Sequence, residues 1–208
     1  MTTALPRLHA ITDERIARRG DLDEIARALA VSGGAELAVH ARGRALTGLE
    51  HYDLAARLSA CPPALLFVND RLDVALAVPT AGVQLGHGSL SVSAARGLNP
   101  RWWIGRSVHD LAEAEAARTE GADYLVVGPV YATASHPGRT ALGLARLRAI
   151  VAAAGDLPVI AIGGITVERA PEVRKSGAYG VAAIRAFWDD VDSAAGEAVR
   201  RMREEWSQ

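Results

Sequence analysis

Eight short apolar runs punctuate the chain: LHAI (8–11), LAVH (37–40), LLFV (65–68), GVQL (82–85), WWIG (102–105), YLVVG (124–128), VIAIG (159–163) and GVAAI (180–184). Unbroken runs of this length suit parallel strands buried on both faces, because a strand with one face in water would alternate. Most are separated by alanine- and charge-rich segments with helical spacing. DLDEIARALAVSG offers Asp21 as N-cap, Glu24 three residues later, and Gly33 just past the end. HDLAEAEAARTEGAD repeats that grammar with Gly121 as its stop, and TVERAPEVRKSGA runs from Thr166 to Gly177. SLSVSAARGLNP predicts only one or two turns. Strands that alternate with helices, with no linker or low-complexity tract, predict one α/β domain over residues 1–208. Eight units favour a compact (β/α)8 TIM barrel over an open doubly wound sheet. The first turn, TDERIARRGD, carries no GxGxxG fingerprint.

Composition excludes more than it adds. A formal net charge of −1 exerts no long-range pull on nucleic acid or an anionic membrane. Cys61 is the only cysteine, so no intrachain disulfide forms, which fits a reducing compartment. The start, MTTALPRLHAITDERIARR, lacks the apolar core of a signal peptide, and no run of about 18 apolar residues is present to span a bilayer. The expectation is a cytoplasmic protein whose partner is a small molecule, with homo-oligomerisation left open.

In such a barrel the active site lies at the C-terminal ends of the strands. That rule collects Thr12 and Asp13, then His40, Arg42 and Arg44, then Asn69 and Asp70, then Gln84 and His87. Arg106, Ser107 and His109 follow the fifth run, and Thr133, Ser135, His136 and Arg139 the sixth. Gly163 and Gly164 open the backbone after the seventh, so that N–H groups there and beside Ala183, Ile184 and Arg185 can hold a phosphate. Arg42 and Arg44 add anion-binding capacity. Asn69 and Asp70 serve equally well as an N-cap pair. A zinc site built from His40, His87 and His136 on alternate strands is conceivable, but no HxH or HExxH spacing supports it. Proton transfer is the better use of these imidazoles. His136 is the first candidate base, His40 the second, and Ser107 or Ser135 a group to orient the ring. No metal and no resident cofactor is assigned.

The ordered motifs LHAITD, LFVNDRLDVAL, GVQLG, IGRSVHDLAEAEAA, GADYLVVGPVYATASHPG, PVIAIGGI and GAYGVAAI resemble the thiamine phosphate synthase superfamily over residues 8–188. That superfamily includes the TenI-type thiazole tautomerases. The resemblance implies a compact barrel acting on a phosphorylated thiazole. Departures decide the branch. The synthase pattern Gln-x-Arg-x-Lys is His40, Arg42 and Arg44 here; its second magnesium aspartate falls on Ser89; its Thr-x-Thr-Lys becomes Thr133, Ser135 and His136; its strand-8 serine is Arg185. The expected reading is therefore a tautomerase that aromatises a thiazole carboxylate phosphate by a proton shift. The alternative is the synthase, which joins hydroxymethylpyrimidine pyrophosphate to thiazole phosphate and brings in magnesium. The tautomerase pattern is broken as well, since Pro129 stands where its histidine is expected. A phosphate-ligand-binding protein without catalysis is the third reading.

Overall fold

The computed structural model describes residues 4–133, 138, 140–189 and 196–207. Eight parallel strands close on themselves in sequence order: β1 (Leu8–Ile11), β2 (Leu37–Ala41), β3 (Leu65–Asn69), β4 (Gly82–Leu85), β5 (Trp103–Val108), β6 (Tyr124–Val127), β7 (Val159–Ile162) and β8 (Gly180–Ala183). The pairing of β8 with β1, Leu8 opposite Val181, completes the ring. Closure abolishes sheet edges, and the alternation of side chains gives every strand an inner and an outer face.

The outer face packs on a shell of helices. α1 (Glu14–Ala17) and α2 (Leu22–Gly33) follow β1; α3 (Gly48–Ser59), α4 (Leu72–Ala77), α5 (Val92–Leu98), α6 (Leu111–Thr119), α7 (Gly143–Ala154) and α8 (Ala170–Lys175) follow the next six strands. After β8 come α9 (Arg185–Trp188) and α10 (Glu197–Trp206). On α2 the buried residues Leu22, Ile25, Ala26, Leu29 and Ala30 recur at the spacing of one helical face. α10 buries Ala198, Val199, Met202 and Trp206 and lies against α2 and α8.

Helix ends follow the sequence with two departures. Thr47 and Glu50 form a reciprocal capping box on α3, and Asp110 caps α6 through the Glu113 amide. Asp21 precedes α2 as expected but caps nothing, because Arg19 takes both its carboxylate oxygens at 2.8 Å. Gly33 is the last residue of α2 rather than its stop. Gly34, at φ 59°, provides the left-handed turn.

Inside the barrel a second, smaller core gathers Leu5, Ile11, Ala38, Phe67, Tyr124, Val126, Ile160 and Ala182. Tyr124 meets Phe67 edge-on at 5.9 Å between ring centres. Gly105 makes room for it: a Cβ there would stand 2.2 Å from Tyr124 Cζ and 2.3 Å from Gln84 Oε1. Tyr124 is fully buried, so Gly105→Ala is expected to destabilise by about 1–3 kcal/mol. Thermal unfolding should register this as roughly 2–4 °C per kcal/mol. An unchanged Tm would mean that the barrel interior yields more easily than this packing implies.

Candidate active site

A cavity of ≈ 620 Å³ opens at the C-terminal ends of the strands. Ile11, Val126, Ile162 and Ile184 give it apolar surface, while Asn69, Gln84 and Ser107 supply polar groups. This is the composition of a small-molecule site: greasy walls with a few placed hydrogen-bonding groups.

Two segments make its rim cationic. Thr12 pins the β2 exit, accepting the Arg42 N–H at 2.9 Å and directing its hydroxyl at His40 O (2.9 Å) and Arg42 O (2.8 Å). Glu14 accepts the Ala45 N–H at 2.8 Å. The loop so held presents Arg42 and Arg44 to the cavity. Burial, and next the Arg44 charge, lower the Arg42 pKa, although a guanidinium keeps its proton. On the other side the lining includes Gly163, Gly164, Arg169, Ala183, Ile184 and Arg185. Gly163 (φ 102°) and Gly164 (φ 63°) need the left-handed region, and side chains there would collide with Pro129 and with Ala132 O. Asp189 is the one carboxylate in the lining among the described residues, and Arg15 pairs with it at 2.7 Å. The field inside therefore favours anions.

Several expected residues fall together here: Arg42, Arg44, Asn69, Gln84, Ser107, Thr133 and the five phosphate-site residues all line the cavity. Ser135, His136 and Arg139 lie outside the described residues. His40 requires a correction. It points into the barrel one level below the cavity, is wholly buried, and has both ring nitrogens engaged, Nε2 with His9 Nδ1 at 2.8 Å and Nδ1 with the Asn69 side chain at 2.9 Å. Burial pulls its pKa down to about 4. It lies outside the cavity lining, and burial disfavours its protonated form. His9 is its buried partner. Arg169 was missed; it donates to Gly164 O at 2.6 Å and covers the Tyr131 ring at 4.4 Å. Its place three residues after Thr166 in the glycine-rich β7 exit was a usable signal.

Asp70 is exposed at the rim rather than in the lining. Its Oδ1 accepts the Gly86 N–H at 2.8 Å and the Ser89 hydroxyl, tying the β3 exit to the β4 exit. Magnesium is usually held by one or two carboxylates and substrate phosphates. Asp70 is the carboxylate at this part of the rim, and one of its oxygens is already committed to protein donors. No group of three or more His, Cys, Asp or Glu comes together among the described residues. By itself this donor set is an incomplete magnesium seat, and a substrate phosphate would have to supply further oxygens. Ser89→Asp would place a second carboxylate against Asp70. Its thermal stability should fall without divalent cation and recover with millimolar magnesium, whereas the wild type should respond little. Equal responses would show that Ser89 does not limit cation binding.

Residues 8–187 match the family described as Thiamine monophosphate synthase. The chain belongs to that family. Among its family relatives, a thiamine-phosphate synthase of Streptomyces avermitilis is 42% identical over 204 residues, covering 95% of this chain and 94% of the relative. A putative thiamine-phosphate synthase 2 of Aquifex aeolicus is 38% identical over 88% of this chain and 98% of its own length. The solved structure of thiamine phosphate pyrophosphorylase from Pyrococcus furiosus superposes with a TM-score of 0.81 at 36% identity, covering 97% of this chain and 95% of that one. Family membership makes this an enzyme-family barrel of thiamine biosynthesis. The relatives' names favour the transfer reaction over the expected tautomerisation.

Proposed function

We propose that this protein joins a pyrimidine pyrophosphate to thiazole phosphate, releasing pyrophosphate. The observation that carries the reading is one cavity with two cationic ends, Arg42 and Arg44 on the β2 exit and the Gly163–Gly164 turn with Arg185 at β7–β8. Two anionic substrates fit such a cavity with their rings meeting over its apolar surface. In the step itself the thiazole nitrogen lone pair attacks the exocyclic methylene carbon of the pyrimidine. A C–N bond forms, the C–O bond breaks, and pyrophosphate leaves with the electron pair. The attacking nitrogen carries no hydrogen, so the step needs positioning and charge stabilisation and no general base. The burial of His40 is no obstacle to it. Arg42 and Arg44 are placed to meet the charge that grows on the leaving group, and the β7–β8 end anchors the nucleophile by its phosphate.

The tautomerase remains a second reading on one observation: Ser89, and no carboxylate, stands beside Asp70. That reaction does need a base; His40 is buried outside the lining, while His87 and His109 are part of it. Incubation with both synthase substrates, followed by assay of pyrophosphate and thiamine phosphate, tests the first reading. Turnover of thiazole carboxylate phosphate with no pyrophosphate release would replace it with the second. Amide NMR shifts at Gly163, Gly164 and Ala183–Arg185 should move on titration with thiazole phosphate; unperturbed amides at saturation would remove the phosphate assignment.

A further inference from the structure

Below the cavity floor runs an unbroken line of hydrogen bonds. His9 Nε2 lies 2.9 Å from Pro6 O, His9 Nδ1 lies 2.8 Å from His40 Nε2, and His40 Nδ1 lies 2.9 Å from the Asn69 terminal amide oxygen. Both imidazoles are fully buried, and Phe67 stacks on His40 at 5.2 Å. Three contacts need three hydrogens. Pro6 O only accepts, so His9 carries its hydrogen on Nε2. A neutral His9 then accepts at Nδ1, which obliges His40 to donate from Nε2 and leaves His40 Nδ1 bare. A carbonyl oxygen facing that bare nitrogen would oppose lone pair to lone pair. The third hydrogen comes either from the Asn69 NH2 or from an extra proton on the histidine pair.

Burial decides between them. A cation in this apolar interior pays a large desolvation cost, and the charged group that acts on His40 is Arg42, which repels it further. Turning the amide by 180° exchanges its nitrogen and oxygen without moving the side chain, and satisfies all three contacts with no charge. We infer that His9 and His40 are positioning residues that hold the Asn69 NH2 against His40 and its carbonyl oxygen in the cavity, so that Asn69 accepts a hydrogen bond from an amino group on an aromatic heterocycle. An acceptor placed there repels phosphate oxygens, so anion binding falls to the arginines and Asn69 reads the ring. The choice of ring, an aminopyrimidine, rests on the transfer reading proposed above; the direction of the amide does not.

Two measurements test this. In protein labelled with 15N-histidine, long-range 1H–15N correlations report which ring nitrogen bears hydrogen. His9 and His40 should both be neutral Nε2–H tautomers at pH 7. An Nδ1–H tautomer or a doubly protonated ring at His40 overturns the inference. By calorimetry, the wild type should bind an aminopyrimidine pyrophosphate roughly tenfold more tightly than its counterpart lacking the amino group. His40→Leu should lose that preference. His40→Gln should keep it, since its amide can donate to His9 and accept from Asn69. Equal wild-type affinities for the two probes overturn the acceptor role. If His40→Leu does not fold, the tautomers and the wild-type preference still decide. Should they come out as stated while no pyrophosphate is released, the transfer reading fails and the positioning stands.

Discussion

Arg42→Gln is expected to lower the rate of pyrophosphate release by about 10²–10³-fold, the usual cost of removing one preorganised donor aimed at developing charge. The magnitude follows from its setting. Arg42 is partly buried beside Arg44 on a loop fixed by Thr12 and Glu14, so its position is set before the substrate arrives. With the thiazole phosphate anchored at β7–β8, as proposed, two strands around the ring through β1, its KM should change little while kcat falls. Arg42→Lys should recover only part of the rate, because an ammonium is a point charge without the planar fork. Nor can a native lysine compensate, as Lys175 on α8 is the only one in the chain. Single-turnover measurement with both substrates separates binding from the chemical step. Wild-type turnover in Arg42→Gln would remove this residue from the transition state and with it the main support for the transfer reading.

The strands were legible because parallel barrel strands are apolar on both faces, and seven of the eight runs end within one residue of the observed strand. β5 is the exception, continuing through Gly105, Arg106 and Ser107 to Val108 where the run predicted an exit at Gly105. Two polar side chains interrupt the apolar pattern for different reasons: Ser107 lines the cavity, while Arg106, on the opposite face, reaches Leu90 O. The depth of His40 was hidden by something else. Sequence places it at the end of β2, yet its ring is fully buried and bonded to Asn69, which lines the cavity. Depth depends on the stagger of neighbouring strands, which one strand's sequence does not contain. Arg42 and Arg44, two and four residues further along, line the cavity, a placement that needs only a strand end. Asp21 failed as a cap for a different reason: the competing partner, Arg19, is local but acts through side-chain geometry that spacing alone does not reveal.

The buried histidine pair should also make the fold acid-sensitive. The His40 pKa falls from an ordinary 6.5 to about 4 because burial opposes its charge, and burial, with His40 as its neighbour, lowers His9 in the same direction. Between those values the unfolded chain binds a proton that folded His40 refuses. Stability is therefore complete above about pH 6.5 and declines as the pH falls, and the His40 contribution is exhausted near pH 4. The full loss at this one site is about 3 kcal/mol, taking 1.36 kcal/mol per pKa unit, and His9 adds to it. Urea unfolding of the wild type at pH 7.5 and near pH 4.5 measures the decline. His40→Gln removes the titrating ring but retains a donor and an acceptor, so its decline should be smaller by about 2–3 kcal/mol. Contributions common to both proteins cancel in the comparison. If the two proteins lose the same stability on acidification, His40 is already protonated in the folded barrel. The hydrogen count would then favour the opposite direction for the Asn69 amide, with its NH2 turned toward the cavity.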